Sequence, residues 1–300
     1  MQRSQGFEAI GIFCQWTLDG TAPFCSGMYE YSDGSATWTE ARPEAGPLQL
    51  RALRVATFNV WFDAFEQEVR RRAVLDILEL ELPDVIALEE VTQPFLDALL
   101  ATPWIREHYA VSRIQLDPTA RYDVVMLSRL PVARFTAHAL TSQMGRMLHT
   151  VELFTTDGVI TVGGIHLESM REMTPTRLVQ IDECVPVLCS APTAIWLGDF
   201  NAAPSSEEDV RIRATFRDTW AELLPDPGYT RDTTQNAMLA KVKDDRHQRI
   251  DRIFLKSDAF VPSSIRMLGT EPIAGTSGQV FPSDHFGLVA DLTRVDRAAE

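Results

Sequence analysis

Cysteine is scarce in this chain of 300 residues: there are four, Cys14, Cys25, Cys184 and Cys189. They form no CxxC pair and no Cys/His cluster of the kind that holds structural zinc. Cys184 and Cys189 fall in an apolar stretch of helical pattern, where free cysteine packs as a small hydrophobe. A Cys14–Cys25 disulfide is open on spacing, but an intracellular setting argues against it. Long apolar runs are missing too, and none approaches the roughly 20 residues of a membrane span. The opening Met1-Gln2-Arg3-Ser4-Gln5-Gly6 lacks the charged-then-apolar pattern of a signal peptide. The expectation is a soluble, intracellular protein (cytoplasm or nucleus) with no membrane partner. Basic residues are outnumbered: 28 Lys and Arg against 42 Asp and Glu leave a formal charge of −14. That balance speaks against gripping nucleic acid through a broad basic surface. It leaves room for an enzyme that neutralises a few phosphates locally, and an ordinary acidic protein would carry it equally well.

What is present reads as an α/β protein. With 45% hydrophobic residues the chain can bury a sizeable core. Residues 1–50 are glycine-rich: Ile10–Trp16 reads as a strand, Gly27–Trp38 as a hairpin turning at Asp33-Gly34, and Glu44-Ala45-Gly46-Pro47 as a linker. The expected organisation is a β-rich N-terminal extension over 1–50, a main domain over 51–293 and a polar tail over 294–300. Within the main domain, Leu53–Val60 is a strand. Glu66–Leu82 has helical spacing at Val69, Ala73, Leu75, Ile77, Leu78 and Leu82. Val85–Leu88 is a buried strand and Pro94–Leu100 a short helix. Tyr122–Leu127, Val132–Ala139, Met147–Phe154 and Val159–Ile165 follow as strands, with turns at Leu130-Pro131 and Asp157-Gly158. Thr176–Leu188 is a second long helix, Thr193–Leu197 a strand, and Glu207–Leu224 mainly helical. Pro225–Gln248 is a long polar loop, and Ile250–Leu255, Ile265–Leu268 and Phe286–Leu292 are closing strands. Strands outnumber helices and several have hairpin-length links. The expected fold is α/β, with two mixed β-sheets packed face to face and helices outside.

Several of these strands end in polar residues. The blocks are Thr57-Phe58-Asn59, Leu88-Glu89-Glu90-Val91, Gly164-Ile165-His166-Leu167-Glu168-Ser169, Trp196-Leu197-Gly198-Asp199-Phe200-Asn201, Arg249-Ile250-Asp251-Arg252-Ile253-Phe254 and Ser283-Asp284-His285. Such side chains suit a hard divalent cation and a phosphate ester. Hydrolysis of a phosphodiester needs a nucleophilic water, neutralised phosphoryl oxygens and help for the leaving oxygen. Glu90, at the mouth of a buried strand, is costly unless a metal or an arginine meets it. In Gly-Asp-x-Asn the glycine permits close approach, and Asp199 and Asn201 would lie on one side of an extended segment. Asp199 could orient or deprotonate water and Asn201 bind a phosphoryl oxygen; the bland alternative is a turn at a strand exit. His285 could stabilise a developing phosphorane or protonate a leaving group, with Asp251 fixing its tautomer; the alternative is a structural histidine. His166 could donate to a phosphoryl oxygen, and Asn59 could orient Glu90 or a metal-bound water.

The order and wording of these blocks resemble the endonuclease/exonuclease/phosphatase superfamily over about residues 53–292. Within it they most resemble the tyrosyl-DNA phosphodiesterase 2 subfamily, on four blocks. These are His166-Leu167-Glu168-Ser169, Tyr229-Thr230-x-Asp232-Thr233, Arg249-x-Asp251-Arg252-Ile253-Phe254 and Phe281-Pro282-Ser283-Asp284-His285-x-Gly287-Leu288. The resemblance implies a four-layer, DNase I-like α/β sandwich and a Mg²⁺-dependent phosphodiesterase in which Mn²⁺ can substitute. Its partner would be a DNA 5′ end carrying a tyrosyl adduct, processed by a monomer in DNA repair. It implies a metal ligand at Glu90 with Asn59 in support, a water-activating Asp199, and Asn201 orienting phosphate and water. It further implies a transition-state-stabilising His285 oriented by Asp251. His166 and Ser169 would line the phosphate site, Tyr122 would match a substrate-contacting tyrosine, and Arg146 aligns with a family arginine. Three positions depart from the pattern. Glu89 replaces a glutamine and adds a charge near the metal. Ala202-Ala203-Pro204-Ser205 lacks an arginine found there in the family. Arg231 replaces a tryptophan of the substrate floor, where it could pair with a phosphate or stack on a base. The rival readings are the same machinery on an RNA end, a nucleotide or a lipid headgroup, and a catalytically silent binding protein on this scaffold.

Overall fold

The computed structural model describes residues 27–41, 46–241 and 247–295. The expected strand at Ile10–Trp16, both N-terminal cysteines, part of the 44–47 linker and the tail from 296 lie outside them. In chain order the strands and α-helices begin with β1 (Tyr29–Ser32), β2 (Thr37–Glu40), β3 (Ala52–Asn59), α1 (Gln67–Glu81), β4 (Val85–Val91), α2 (Gln93–Ala101) and α3 (Pro103–His108). They continue with β5 (Ala110–Val111), β6 (Asp123–Ser128), β7 (Arg134–Ala139), β8 (Met147–Thr155), β9 (Gly158–His166), α4 (Thr174–Cys189) and β10 (Thr193–Asp199). The last are α5 (Glu207–Arg213), β11 (Arg217–Asp218), α6 (Thr219–Leu223), β12 (Asp251–Lys256), β13 (Phe260–Leu268) and β14 (Gly287–Arg294).

The strands form two sheets, ordered β13-β14-β3-β4-β6-β5-β1-β2 and β11-β12-β10-β9-β8-β7. Only β3–β4 and β9–β10 run parallel; the other pairings are antiparallel. Alternate residues of each strand point to opposite faces. On β3, Leu53 and Val55 face the second sheet, where Val162, Ile195, Leu197, Ile253 and Leu255 meet them. Ala56, Phe58 and Val60 face outward, under Val74 and Leu78 of α1 and Leu96 and Leu99 of α2. Ile181, Cys184 and Leu188 of α4 cover the outer face of the second sheet at Trp196 and Phe254. The order of layers is therefore helix, sheet, sheet, helix, as expected. No helix among the described residues is long and apolar enough to cross a membrane.

The expected N-terminal hairpin forms as β1–β2, and Tyr29 pairs with Val111, so the hairpin extends the larger sheet. Three local expectations need correction. Helix α1 buries Arg70, Val74, Leu75 and Leu78 and leaves Val69 exposed. Arg70 turns inward because its guanidinium binds the carbonyls of Val60, Trp61, Asp63 and Phe65 and lies over the Trp61 ring. The expected helix over 207–224 is broken. Phe216 buries its ring near Trp196, Asp218 pairs with Phe254 in β11, and its carboxylate then caps α6 by accepting from Trp220 N–H at 3.1 Å. Strand β13 starts at Phe260, well before Ile265. It carries Pro262 because it is an edge strand with a register shift there.

Gly198 shows how tightly β10 sits against its neighbour. Its φ is +141°, and a Cβ there would lie 1.9 Å from the carbonyl oxygen of Ile165. Nothing can move aside, because the obstacle is backbone. Gly198→Ala is expected to destabilise the fold by on the order of 3 kcal/mol or more. Urea unfolding within 1 kcal/mol of wild type would refute this close packing.

Candidate active site

The site is the polar continuation of the inter-sheet core. On β3 the inward face runs Leu53, Val55, Thr57, Asn59; on β9, Ile160, Val162, Gly164, His166; on β10, Ile195, Leu197, Asp199. Pairing register aligns Asp199 with His166 on one side and with Asp251 on the other. One row across β9, β10 and β12 thus carries His166, Asp199 and Asp251, all buried. A one-residue slip would send the row to the helix side.

His285 meets this row from the opposite sheet. Its Nδ1 lies 2.9 Å from Asp251 Oδ2 and 3.9 Å from Asp199 Oδ2. A carboxylate only accepts, so Nδ1–H donates to Asp251 and Nε2 is left for another partner. The approach of His285 is fixed by Ser283, whose hydroxyl donates to the Asn59 carbonyl at 2.6 Å and accepts the His285 N–H at 3.3 Å. Asn236 donates to the Ser283 carbonyl, and Thr230 accepts the N–H groups of Ile250 and Asp251 and, through its carbonyl, that of Phe286. Burial alone would lower the His285 pKa, but the charges of Asp251, Asp284 and Asp199 outweigh it and raise the pKa well above the ordinary value. Burial, reinforced by Asp251, raises that of Asp199. Asp199 also accepts from Asn59 Nδ2 at 3.0 Å and from the Asn201 N–H at 2.9 Å.

A second wall gathers around the buried guanidinium of Arg146. Arg146 Nη1 lies 3.0 Å from His166 Nδ1, and Nη2 is 2.9 Å from Ser169 Oγ and 3.4 Å from Tyr122 Oη. Arginine has no acceptor, so His166 Nδ1 must accept and its proton sits on Nε2. Burial, then the Arg146 and His285 charges, keep His166 well below the ordinary histidine pKa, so the ring is neutral. Its Nε2 is 3.5 Å from Asp199 Oδ2. The Asn201 side chain donates to the Leu167 carbonyl at 3.2 Å and approaches Ser169 Oγ at 3.4 Å. Asn201 has φ +48°, so the chain turns at once after Asp199. The expected extended Asp-x-Asn segment is replaced by a turn in which the Asn201 backbone, not only its side chain, serves Asp199. Tyr122 stacks against His166 and Phe62, and the Arg121 guanidinium lies over the far face of Phe62.

Glu90 reaches the same end through a bulge. Register shifts between Leu88 and Val91, and Glu90 has φ +61°, so two residues occupy the inward turn of the strand. Glu90 Oε2 accepts the Phe62 N–H at 3.0 Å, and burial followed by the Asp284 charge raises its pKa. Glu89 is fully buried, accepts from the Thr57 hydroxyl at 2.8 Å, and is pushed well above the carboxylate range by burial, then by Asp251 and Asp199. Burial thus works against the extra charge that the sequence places at Glu89. Arg231 lies where its backbone pairs with Gln248, next to Thr230, at the rim of the site. Residues with no expected role also matter: Thr230, Ser283 and Glu168 lie inside the quoted blocks, while Phe62, Ser142 and Gln180 carried no motif signal.

The donor set fits a hard divalent cation. Asp199, Asp251 and His285 offer ligand atoms within 4.8 Å of one another, and Asp251 Oδ1 is buried without a hydrogen-bond partner. The carboxylates supply the oxygen ligands that such a cation prefers, and Glu90 lies near enough for its charge to act on Asp199.

Comparison with known proteins agrees with this geometry. Residues 56–285 match the model of the Endonuclease/Exonuclease/phosphatase family. The chain is similar to tyrosyl-DNA phosphodiesterase 2 of Mus musculus, 28% identical over 276 residues, covering 86% of this chain and 71% of the relative. It is similar to that of Homo sapiens, 29% identical over 239 residues, covering 74% of this chain and 63% of the relative. The chain thus spans about two thirds of the length of these relatives. The solved structure of D. rerio TDP2 complexed with single strand DNA product superposes with TM-score 0.69 at 24% identity, covering 81% of this chain and 99% of that chain. At that identity the likeness concerns the fold, and it is the sandwich expected.

The raised pKa of Glu89 has a measurable consequence. Below about pH 4.5, the carboxyl's ordinary pKa, folded and unfolded chains both hold the proton. Above it the unfolded chain releases the proton and the folded chain keeps it, so this group costs stability as pH rises. Glu89→Gln removes the proton from the balance. Its stability relative to wild type is expected to increase between pH 5 and pH 8 in denaturant titrations. A relative stability that stays flat over that range would show that burial does not raise the Glu89 pKa.

Proposed function

The chain belongs to the endonuclease/exonuclease/phosphatase family, and from that premise we propose that it is a Mg²⁺-dependent phosphodiesterase that hydrolyses 5′-phosphotyrosyl bonds at DNA ends. What carries the reading is the row His166–Asp199–Asp251 with His285 against it, in a chain 28% identical to a tyrosyl-DNA phosphodiesterase 2.

Each residue then has a task set by its contacts. Asp199, fixed by Asn59 and the Asn201 N–H and raised in pKa, takes the proton of the attacking water. The His166 Nε2–H, Ser169 and Arg146 hold phosphoryl oxygens on the second wall, with Asn201 between water and phosphate. His285 presents Nε2–H while Asp251 keeps it charged, which favours negative charge on the phosphoryl group or the leaving oxygen. Glu90, supported by Asn59, would hold the cation, which when bound supplies positive charge against the phosphoryl oxygens. Tyr122 would meet the substrate and Arg231 its flanking nucleotide. The alternative is the same chemistry on another phosphate ester, since the two walls recognise phosphate and leave its substituents to the 225–248 loop.

One panel separates these readings: 5′-tyrosyl DNA, abasic DNA, RNA and bis(p-nitrophenyl) phosphate with Mg²⁺. Turnover is expected to vanish in EDTA and return with Mg²⁺ or Mn²⁺, with 5′-tyrosyl DNA the preferred substrate. Full rates in metal-free buffer would sink the mechanism, and preference for another ester would leave only its chemistry standing. Asp199→Asn and His285→Ala should each lower kcat by roughly 10²-fold or more in folded protein. A near-normal rate in either variant would remove that residue from its task. Glu90→Gln should weaken the Mg²⁺ response, and an unchanged Mg²⁺ titration would count against ligation there.

A further inference from the structure

We propose that Glu168 is the positioning residue for Arg146, setting it against His166 and Ser169 through the hydroxyl of Ser142; the inference rests on the phosphodiesterase reading of that wall. Glu168 is 1% exposed. Its Oε2 accepts from the Ser142 hydroxyl at 2.6 Å and from Gln180 Nε2 at 3.2 Å, and its Oε1 accepts the Gln143 N–H at 3.0 Å. Ser142 Oγ accepts the N–H groups of Met144 at 3.0 Å and Arg146 at 2.9 Å. A hydroxyl has two lone pairs and one proton. With both lone pairs taken, the proton must go to Glu168. The backbone of Arg146 therefore hangs from Glu168 through one side chain, at a loop that turns on Gly145 with φ +72°.

Glu168 is itself held from behind. Its N–H donates to Gln180 Oε1 at 2.9 Å, and its carbonyl accepts from Arg177 Nη1 at 3.0 Å. Arg177 also donates to the Met170 carbonyl at 2.7 Å, closing the turn that carries Ser169. Helix α4 thus fixes one end of the bracket, and the loop before β8 hangs from the other. What depends on the bracket is a tautomer. Arg146 Nη1 against His166 Nδ1 is what sends the histidine proton to Nε2, the side facing Asp199. A glutamine cannot take over. Donors reach both oxygens of Glu168, so an amide presents its NH₂ to one of them whichever way it is turned.

The test compares the 300-residue chain with Arg146→Ala, Glu168→Gln, Ser142→Ala and the double variant Arg146→Ala/Glu168→Gln, on bis(p-nitrophenyl) phosphate with Mg²⁺. Ser142 is half-buried and uncharged, so Ser142→Ala keeps the test alive should Glu168→Gln fold poorly. All three single variants are expected to lower kcat about 10-fold or more. The double variant is expected to be no slower than Arg146→Ala alone, because Glu168 acts through Arg146. Wild-type rates in Glu168→Gln and Ser142→Ala would overturn the proposal, as would a double variant whose loss is the product of the single losses. ¹⁵N spectra of histidine-labelled protein give a readout without turnover. His166 is expected as the Nε2–H tautomer in wild type and as a tautomer mixture in Glu168→Gln and Ser142→Ala. If wild type turns over nothing, the phosphodiesterase reading fails and the spectra alone decide: an unchanged tautomer in both variants overturns the role of Glu168, and an altered one upholds it.

Discussion

Two buried carboxylates of like charge, placed side by side, set the terms for this site. Asp199 and Asp251 are cross-strand partners, and like charges in that relation destabilise a sheet. The arrangement holds because His285, from the other sheet, brings a cation to both. Asn59, also from the other sheet, donates to Asp199. Along most of their length the sheets are joined by apolar packing; at this end they are joined by charge and hydrogen bonds. The cation is in turn kept charged by the acids it serves. Removing any member leaves another buried and unmatched, which costs more than the pair contributes.

The same end of the sandwich collects unusual backbone. Trp61, Glu90, Met170 and Asn201 all have positive φ without being glycine. They stand just beyond β3, in the bulge of β4, and just beyond β9 and β10. Each such residue costs of order 1–3 kcal/mol. At three of them the departure from strand geometry does something: it aims Glu90 inward, delivers the Asn201 N–H to Asp199, or turns the chain so that Met170 O meets Arg177. The apolar layer between the sheets offsets this local strain, and Gly198 lets β10 lie close enough to β9 for the row to form.

Much of this was legible in the sequence, for a physical reason. A strand that alternates through Val55 and ends on Asn59, or through Leu197 and ends on Asp199, states both its buried face and the end where polarity begins. The Asn, Glu, Asp and His side chains at those ends, with no Cys/His cluster in the sequence, then point to phosphate and hard cations. What was illegible lies where two interactions compete. Apolar residues at Ile212, Phe216 and Trp220 keep helical spacing across 207–224, yet burial of Phe216 and pairing of Asp218 with Phe254 interrupt the helix. Glu89 and Glu90 look equivalent as neighbours, and only the bulge separates a fully buried acid from one at the end of the strand. No sequence period announces a bulge or a positive φ at glutamate.

The residues that hold the site are less legible than those that form it. Gln180 and Arg177 read as ordinary members of a helical pattern, and Ser142 as one of several loop serines. Their partners, Glu168 and Arg146, are near in space because β8 and β9 are antiparallel neighbours, with His149 opposite Gly164. That pairing brings the loop before Met147 to the residues after His166. A carboxylate buried at such a junction is expensive unless donors meet both of its oxygens, as they do here. The donors on Glu168 are therefore the reason it can be there. The same count explains why its position is so closely determined. The chemistry of the row is shared by any phosphodiester it can reach. The placement of Arg146 against His166 belongs to this loop and this helix.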